Sequence, residues 1–154
     1  MKKQVLIISF GIILLLMSSS CKNGLFTKPL EEVLTSNDWE LTAYTKEGNG
    51  KIMDYYESYI SVECRKKSYF SFFANSNYIY YDKCSNSEIG GKWTLNDSIL
   101  TETYTIVKED TTYTKTVKWV VTEYNNIEIK AYNTFLDSIN SITFIDRQTW
   151  SAKD

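Results

Sequence analysis

The stretch from Cys64 to Leu100, CRKKSYFSFFANSNYIYYDKCSNSEIGGKWTLNDSIL, constrains the fold of this chain most. Two aromatic runs meet at a tight turn, a cysteine stands at the outer end of each, and a Gly-Gly-Lys-Trp segment follows. One hairpin register sets Phe70 opposite Tyr78, Ser68 opposite Tyr80, Lys66 opposite Asp82 and Cys64 opposite Cys84. It unites aromatic with aromatic, Lys with Asp and Cys with Cys, as cross-strand neighbours prefer. The stretch therefore predicts an antiparallel hairpin stapled by a Cys64–Cys84 disulfide.

The rest of the chain has strand-forming character. Of 154 residues, 15% are aromatic and only one is proline, and Thr and Ile are abundant. That length is a prior for one domain. The formal net charge of -2 points away from nucleic acid and from a polybasic membrane patch. There is no histidine, which excludes His-based triads, His general bases and the commonest zinc ligand sets.

The first 20 residues read as a segment outside the fold. Lys2 and Lys3 form a positive start, Val5 to Met17 a short apolar run, and Ser18, Ser19 and Ser20 lead to Cys21. The run falls short of the roughly 20 residues that span a bilayer. Cleavage before Cys21 resembles bacterial lipoprotein processing, in which that cysteine carries lipid, although Ser18 stands where Leu is usual. The alternative is an ordinary secretory signal with an incidental cysteine. The expected layout is a signal over 1–20, a tether over 21–28 and a barrel domain over 29–150. Loss of Lys2 and Lys3 would move the net charge from -2 to -4. Export also allows Cys64 and Cys84 to oxidise, leaving Cys21 as the odd cysteine.

In chain order, Leu30, Val33 and Leu34 have helical spacing behind Pro29, with Glu31 and Glu32 in the first turn, predicting a helix of under two turns. Trp39–Thr45 reads as the first strand and Gly48-Asn49-Gly50 as a turn. Residues 51–63 read as irregular with a helical turn. Strands are expected near 66–73, 77–82, 91–95, 98–107, 112–123, 127–132 and 141–147. The joining turns are Asn96-Asp97, Lys108–Thr111 and Tyr124-Asn125-Asn126. About eight strands joined by short hairpins predict an all-β, up-and-down antiparallel barrel, because closure hides the sheet edges.

The mature chain resembles the lipocalin-like domain of bacterial outer-membrane lipoproteins, notably those of Bacteroidetes. The resemblance rests on Trp39-Glu40-Leu41-Thr42, Cys64-Arg65-Lys66-Lys67, Tyr69-Phe70-Ser71-Phe72, Asn75 to Tyr78, Cys84 and Gly91-Lys92-Trp93-Thr94-Leu95. Ile99-Leu100, Val121-Thr122 and Ile127-Glu128-Ile129 complete it. Asn37 departs from it, standing where Gly is frequent. The resemblance implies an outer-membrane address and a barrel that holds a ligand. It also implies that Trp39 packs under the barrel beside Arg147 from the last strand; the alternative for Arg147 is a solvated charge.

Little else in the sequence carries chemistry. Asp54, Glu57 and Glu63 lack metal-loop spacing and read as a solvated face. No serine sits in a nucleophile elbow and no Gly-rich phosphate loop is present. The expectation is a non-catalytic protein without cofactor or metal. It binds either a small apolar or aromatic ligand inside the barrel, or an envelope protein or glycan through exposed aromatics. Strand register places Ile106 opposite Tyr113, Tyr104 opposite Lys115, Glu102 opposite Val117, Leu100 opposite Trp119, Trp93 opposite Leu100 and Val121 opposite Ile129. All fall on one apolar face, which should be the inside. Glu102 and Lys115 fall there too, as diagonal neighbours expected to pair or to sit in water near an open mouth. Glu102, Lys115, Tyr104, Tyr113, Trp93 and Trp119 are thus the candidate ligand contacts.

Overall fold

The structure, a computed structural model, describes residues 28–56, 63–108 and 111–154. The expected signal, Cys21 and nearly all of the tether lie outside the described residues, as does Glu57. Among the described residues, helix α1 (Leu30–Ser36) is followed by nine strands: β1 (Asp38–Gly48), β2 (Lys51–Asp54), β3 (Tyr69–Phe72), β4 (Asn77–Asp82), β5 (Ser87–Asn96), β6 (Ile99–Lys108), β7 (Thr111–Tyr124), β8 (Glu128–Asp137) and β9 (Ile142–Ala152). A short 3-10 helix, Glu63–Lys67, precedes β3. Every pairing is antiparallel, and β1 with β9 closes the eight strands β1 and β3–β9 into a barrel. Strand β2 is an extra hairpin partner of the outer half of β1. No helix among the described residues is long and apolar enough to cross a membrane.

Alternation explains the walls. Along β6, Leu100, Glu102, Tyr104 and Ile106 share one face, and Thr101, Thr103 and Thr105 the other. Trp39, Phe72, Trp93, Leu100, Val121 and Ile129 are buried at the base, where Leu30, Val33 and Leu34 of α1 join them. Trp39 Nε1 donates to the Leu34 carbonyl at 3.0 Å, tying the helix to the first strand. Each large side chain buried here stabilises the fold by about 1.5–3 kcal/mol. Gly91 faces inward opposite Tyr78; a Cβ there would lie 2.5 Å from the Thr103 carbonyl oxygen and 2.6 Å from the Tyr78 ring. Only glycine lets that ring fold over the sheet.

The β6–β7 register matches expectation, with Leu100, Glu102, Tyr104 and Ile106 opposite Trp119, Val117, Lys115 and Tyr113. Three other registers differ. Phe70 pairs with Tyr80 and Phe72 with Tyr78, because the turn centres on Asn75, with Ser76 at positive φ. Trp93 pairs with Glu102 rather than Leu100, because the turn is Asp97-Ser98 with Asp97 at positive φ. Both slips are of two residues, so every side chain keeps its face. Val121 pairs with Ala131 rather than Ile129 because the turn is displaced and a bulge lies between Val121 and Glu123.

The disulfide joins Cys64 to Cys84, with Cα atoms 5.0 Å apart. It links the 3-10 helix to the turn after β4, not two ladder neighbours, and Lys66 pairs with Glu63 at 3.2 Å rather than facing Asp82. Residues 51–54, read as irregular, form β2, and β9 runs on to Ala152, beyond the expected end at Arg147. That extension relocates Arg147. It lies opposite Thr45 on the outer face, bonded to Glu47 at 3.3 Å and 5.8 Å from the Tyr132 ring centre. Ala152 takes the place beside Trp39. Arg147 is therefore a solvated charge, not the base partner of Trp39.

Candidate functional site

Above the packed base the barrel holds a half-open cavity of about 960 Å³. Aromatic rings line it from six strands: Phe70 on β3, Tyr78 and Tyr80 on β4, Tyr104 on β6, Trp119 on β7, Phe135 on β8 and Trp150 on β9. The rings hold one another. Trp119 meets Trp150 edge-on at 5.7 Å, Phe70 lies 5.9 Å from Trp150, and Tyr78 meets Tyr104 edge-on at 6.4 Å. Such pairs add about 0.5–1.5 kcal/mol beyond their burial and fix the wall's shape.

One side of the wall is split. All of β6 is paired with β7 and all of β8 with β9, but the β7–β8 ladder stops at Val120–Tyr132. Beyond it, Thr116, Val117 and Lys118 of β7 and Asn133, Thr134 and Phe135 of β8 border the cavity. Residues from both faces of β7 reach the space, as expected where a strand has lost its neighbour. This slit borders the cavity from the side.

Among the described residues, Glu102 is the one charged residue buried in the core, at 5% exposure. β6 places it between Trp93 of β5 and Val117 of β7. Its Oε2 accepts a long, weak bond of 3.4 Å from Trp119 Nε1, and its Oε1 has no hydrogen-bond partner among the described residues. Burial pushes its carboxyl up to about 7, opposed only by the Trp119 bond. Burial, with the Glu102 charge next, also raises the neighbouring Tyr78 phenol. Lys115 does not join the expected pair: it lines the cavity but its side chain stays exposed.

A second polar group stands on the far wall. Asp146 lies opposite Lys46 in the β1–β9 register. Its carboxyl is raised by burial, and Lys46 and a bond to Tyr44 hold the rise in check. Burial and Asp146 together lift the Tyr44 phenol to about 12. Lys46 Nζ lies 4.6 Å and 4.7 Å from the ring centres of Phe135 and Phe144.

Of the six candidate contacts, Glu102, Tyr104, Lys115 and Trp119 line the cavity. Trp93 does not: it is buried in the base, where its Nε1 donates to the Phe73 carbonyl at 3.0 Å. Tyr113 stands at 45% exposure toward the hairpin tip. Sequence reasoning missed Phe70, Tyr78, Tyr80, Phe135, Asp146, Gln148 and Trp150. Asp146 already lay in the expected last strand, and Gln148 and Trp150 were available in the alternation Phe144, Asp146, Gln148, Trp150, had that strand been carried past Arg147.

Compared with known proteins, the chain matches no family model and no curated sequence.

Proposed function

We propose that this protein is an exported lipoprotein of the lipocalin-like family, anchored through Cys21, whose barrel is a non-catalytic binding module for a small apolar or aromatic molecule. The cavity carries the reading. At about 960 Å³ it lies at the upper end of the roughly 300–1,000 Å³ of small-molecule sites, and it pairs aromatic walls with a few polar groups. A barrel filled by its own side chains, docking partners through exposed aromatics, fits less well. The exposed large apolar residues are mostly aliphatic, Ile52, Val107, Ile127, Leu136 and Ile139 among the most exposed. The address rests on the Lys2-Lys3 start, the apolar run and the serines before Cys21.

Native mass spectrometry of the full chain, purified from its own envelope, should find a retained noncovalent molecule. Protein that never carries one, under conditions that keep other lipid complexes intact, would count against the cavity's role. A fatty-acid analogue should label wild type and not Cys21→Ala; equal labelling of both would remove the anchor.

A further inference from the structure

Glu102 and Asp146 each keep one buried carboxylate oxygen without a partner among the described residues, but only Glu102 has no cation acting on it. Asp146 on β9 is answered by Lys46 and by a bond to Tyr44. Glu102 sits deep in the wall with Oε1 unpartnered, among rings rather than cations. The other ionisable groups that line the cavity are Tyr78 and Tyr80 from β4, Tyr104 from β6, Lys115 and Lys118 from β7, and Asp146 from β9. A buried carboxylate costs stability unless a donor meets it. Nothing on β4, β5, β6 or β7 supplies that donor to Oε1.

We propose that the cavity selects a cationic amine carried on an apolar or aromatic body, with its ammonium bonded to Glu102 Oε1 and its body against Phe70, Tyr78, Tyr104 and Trp119. The inference rests on the binding-module reading and adds the ligand's chemical class. An ionised carboxylate only accepts hydrogen bonds, and an ammonium only donates them. The faces of Tyr, Phe and Trp rings attract the same cation. A neutral hydroxyl would answer the carboxylate with one donor and no charge. A ligand carboxylate would be repelled by it. The competing cation is the chain's own Lys115, diagonal to Glu102 across the β6–β7 ladder.

The charge states give the match a pH signature. Glu102 ionises near 7, whereas an alkylammonium keeps its proton to about 10. Amine affinity should therefore rise from pH 6 to pH 8, and alcohol affinity should not.

The test is tryptophan fluorescence of the purified protein titrated with 4-phenylbutylamine, 4-phenylbutanol and 4-phenylbutyrate at both pH values. The amine should bind about tenfold more tightly than the alcohol at pH 8, the size expected of one charged hydrogen bond. The preference should shrink at pH 6, and butyrate should bind most weakly. Glu102→Gln should abolish the amine's advantage; if that variant does not fold, the wild-type pH comparison decides alone. Equal binding of amine and alcohol at both pH values would overturn the amine assignment and leave the cavity reading standing. Binding of neither would overturn both. A preference that emerges only in Lys115→Met would assign Glu102 to the chain's own lysine and overturn the proposal.

Discussion

Burial holds the Glu102 carboxyl near 7, against an ordinary value of 4.5. A raised carboxyl means that the folded state keeps a proton the unfolded chain has released. Stability therefore falls as pH rises between about 4.5 and 7, by on the order of 3 kcal/mol in all, and is restored by acid. Glu102→Gln, neutral throughout, should lack this slope. Urea unfolding of both proteins should give nearly equal stability at pH 4.5 and an advantage to Glu102→Gln, on the order of 3 kcal/mol, at pH 8. Parallel curves would mean that water or Lys115 already solvates the carboxylate. The inward position of Glu102 was legible from the Lys108–Thr111 turn alone, since register fixes the face of every residue on both strands. The cavity role assigned to Tyr113 was not, because register says which face a side chain takes but not how far along the barrel the wall extends. For Arg147 the misleading factor was strand length: β9 gains five residues beyond it, and the bulge between Leu41 and Ala43 shifts the facing strand as well.

Among the elements, Cys64–Cys84 joins the 3-10 helix to the turn after β4, where the Lys83 amide also donates to Ser68 Oγ at 3.0 Å and Arg65 acts on the Asp82 carboxylate. The turn has its own support: Asp82 accepts from the Cys84 amide at 2.9 Å and from Ser85 Oγ at 2.9 Å, bonds that hold its carboxyl below the usual range. The 3-10 helix buries none of its residues, so it has no apolar anchor of its own. With a sequence separation of 20, the cross-link should stabilise by about 3 kcal/mol in the chain-entropy model. Replacing both cysteines by serine should lower the urea-unfolding free energy by that amount; an unchanged midpoint would show that the segment is held by other contacts. The pairing itself was legible although the register was not. A two-residue slip preserves facing and leaves both cysteines at the same end of the hairpin, within bridging reach. The first turn was misplaced because Ser76 takes positive φ, a position more readily expected of the neighbouring Asn75; in the second Asp97 takes the positive φ expected of it, but Asn96 is still paired in the ladder and Ser98 completes the turn.

At the scale of the whole molecule, the barrel was legible from the run of short hairpins and the need to hide edges, but the cavity was not. Composition counts aromatic rings without saying whether they meet across the interior. Here they fill the base and stand apart above it, where β7 leaves β8. Whether that space binds is the central question, and saturable uptake of an uncharged dye answers it. Nile red titrated into the purified protein should show one saturating site per chain, with energy transfer from the Trp119 and Trp150 that line the cavity. Val117→Trp, which adds bulk at the slit, should remove most of that signal while the fold persists by circular dichroism. Uptake that never saturates, or that is undiminished in a folded Val117→Trp, would contradict an interior binding site.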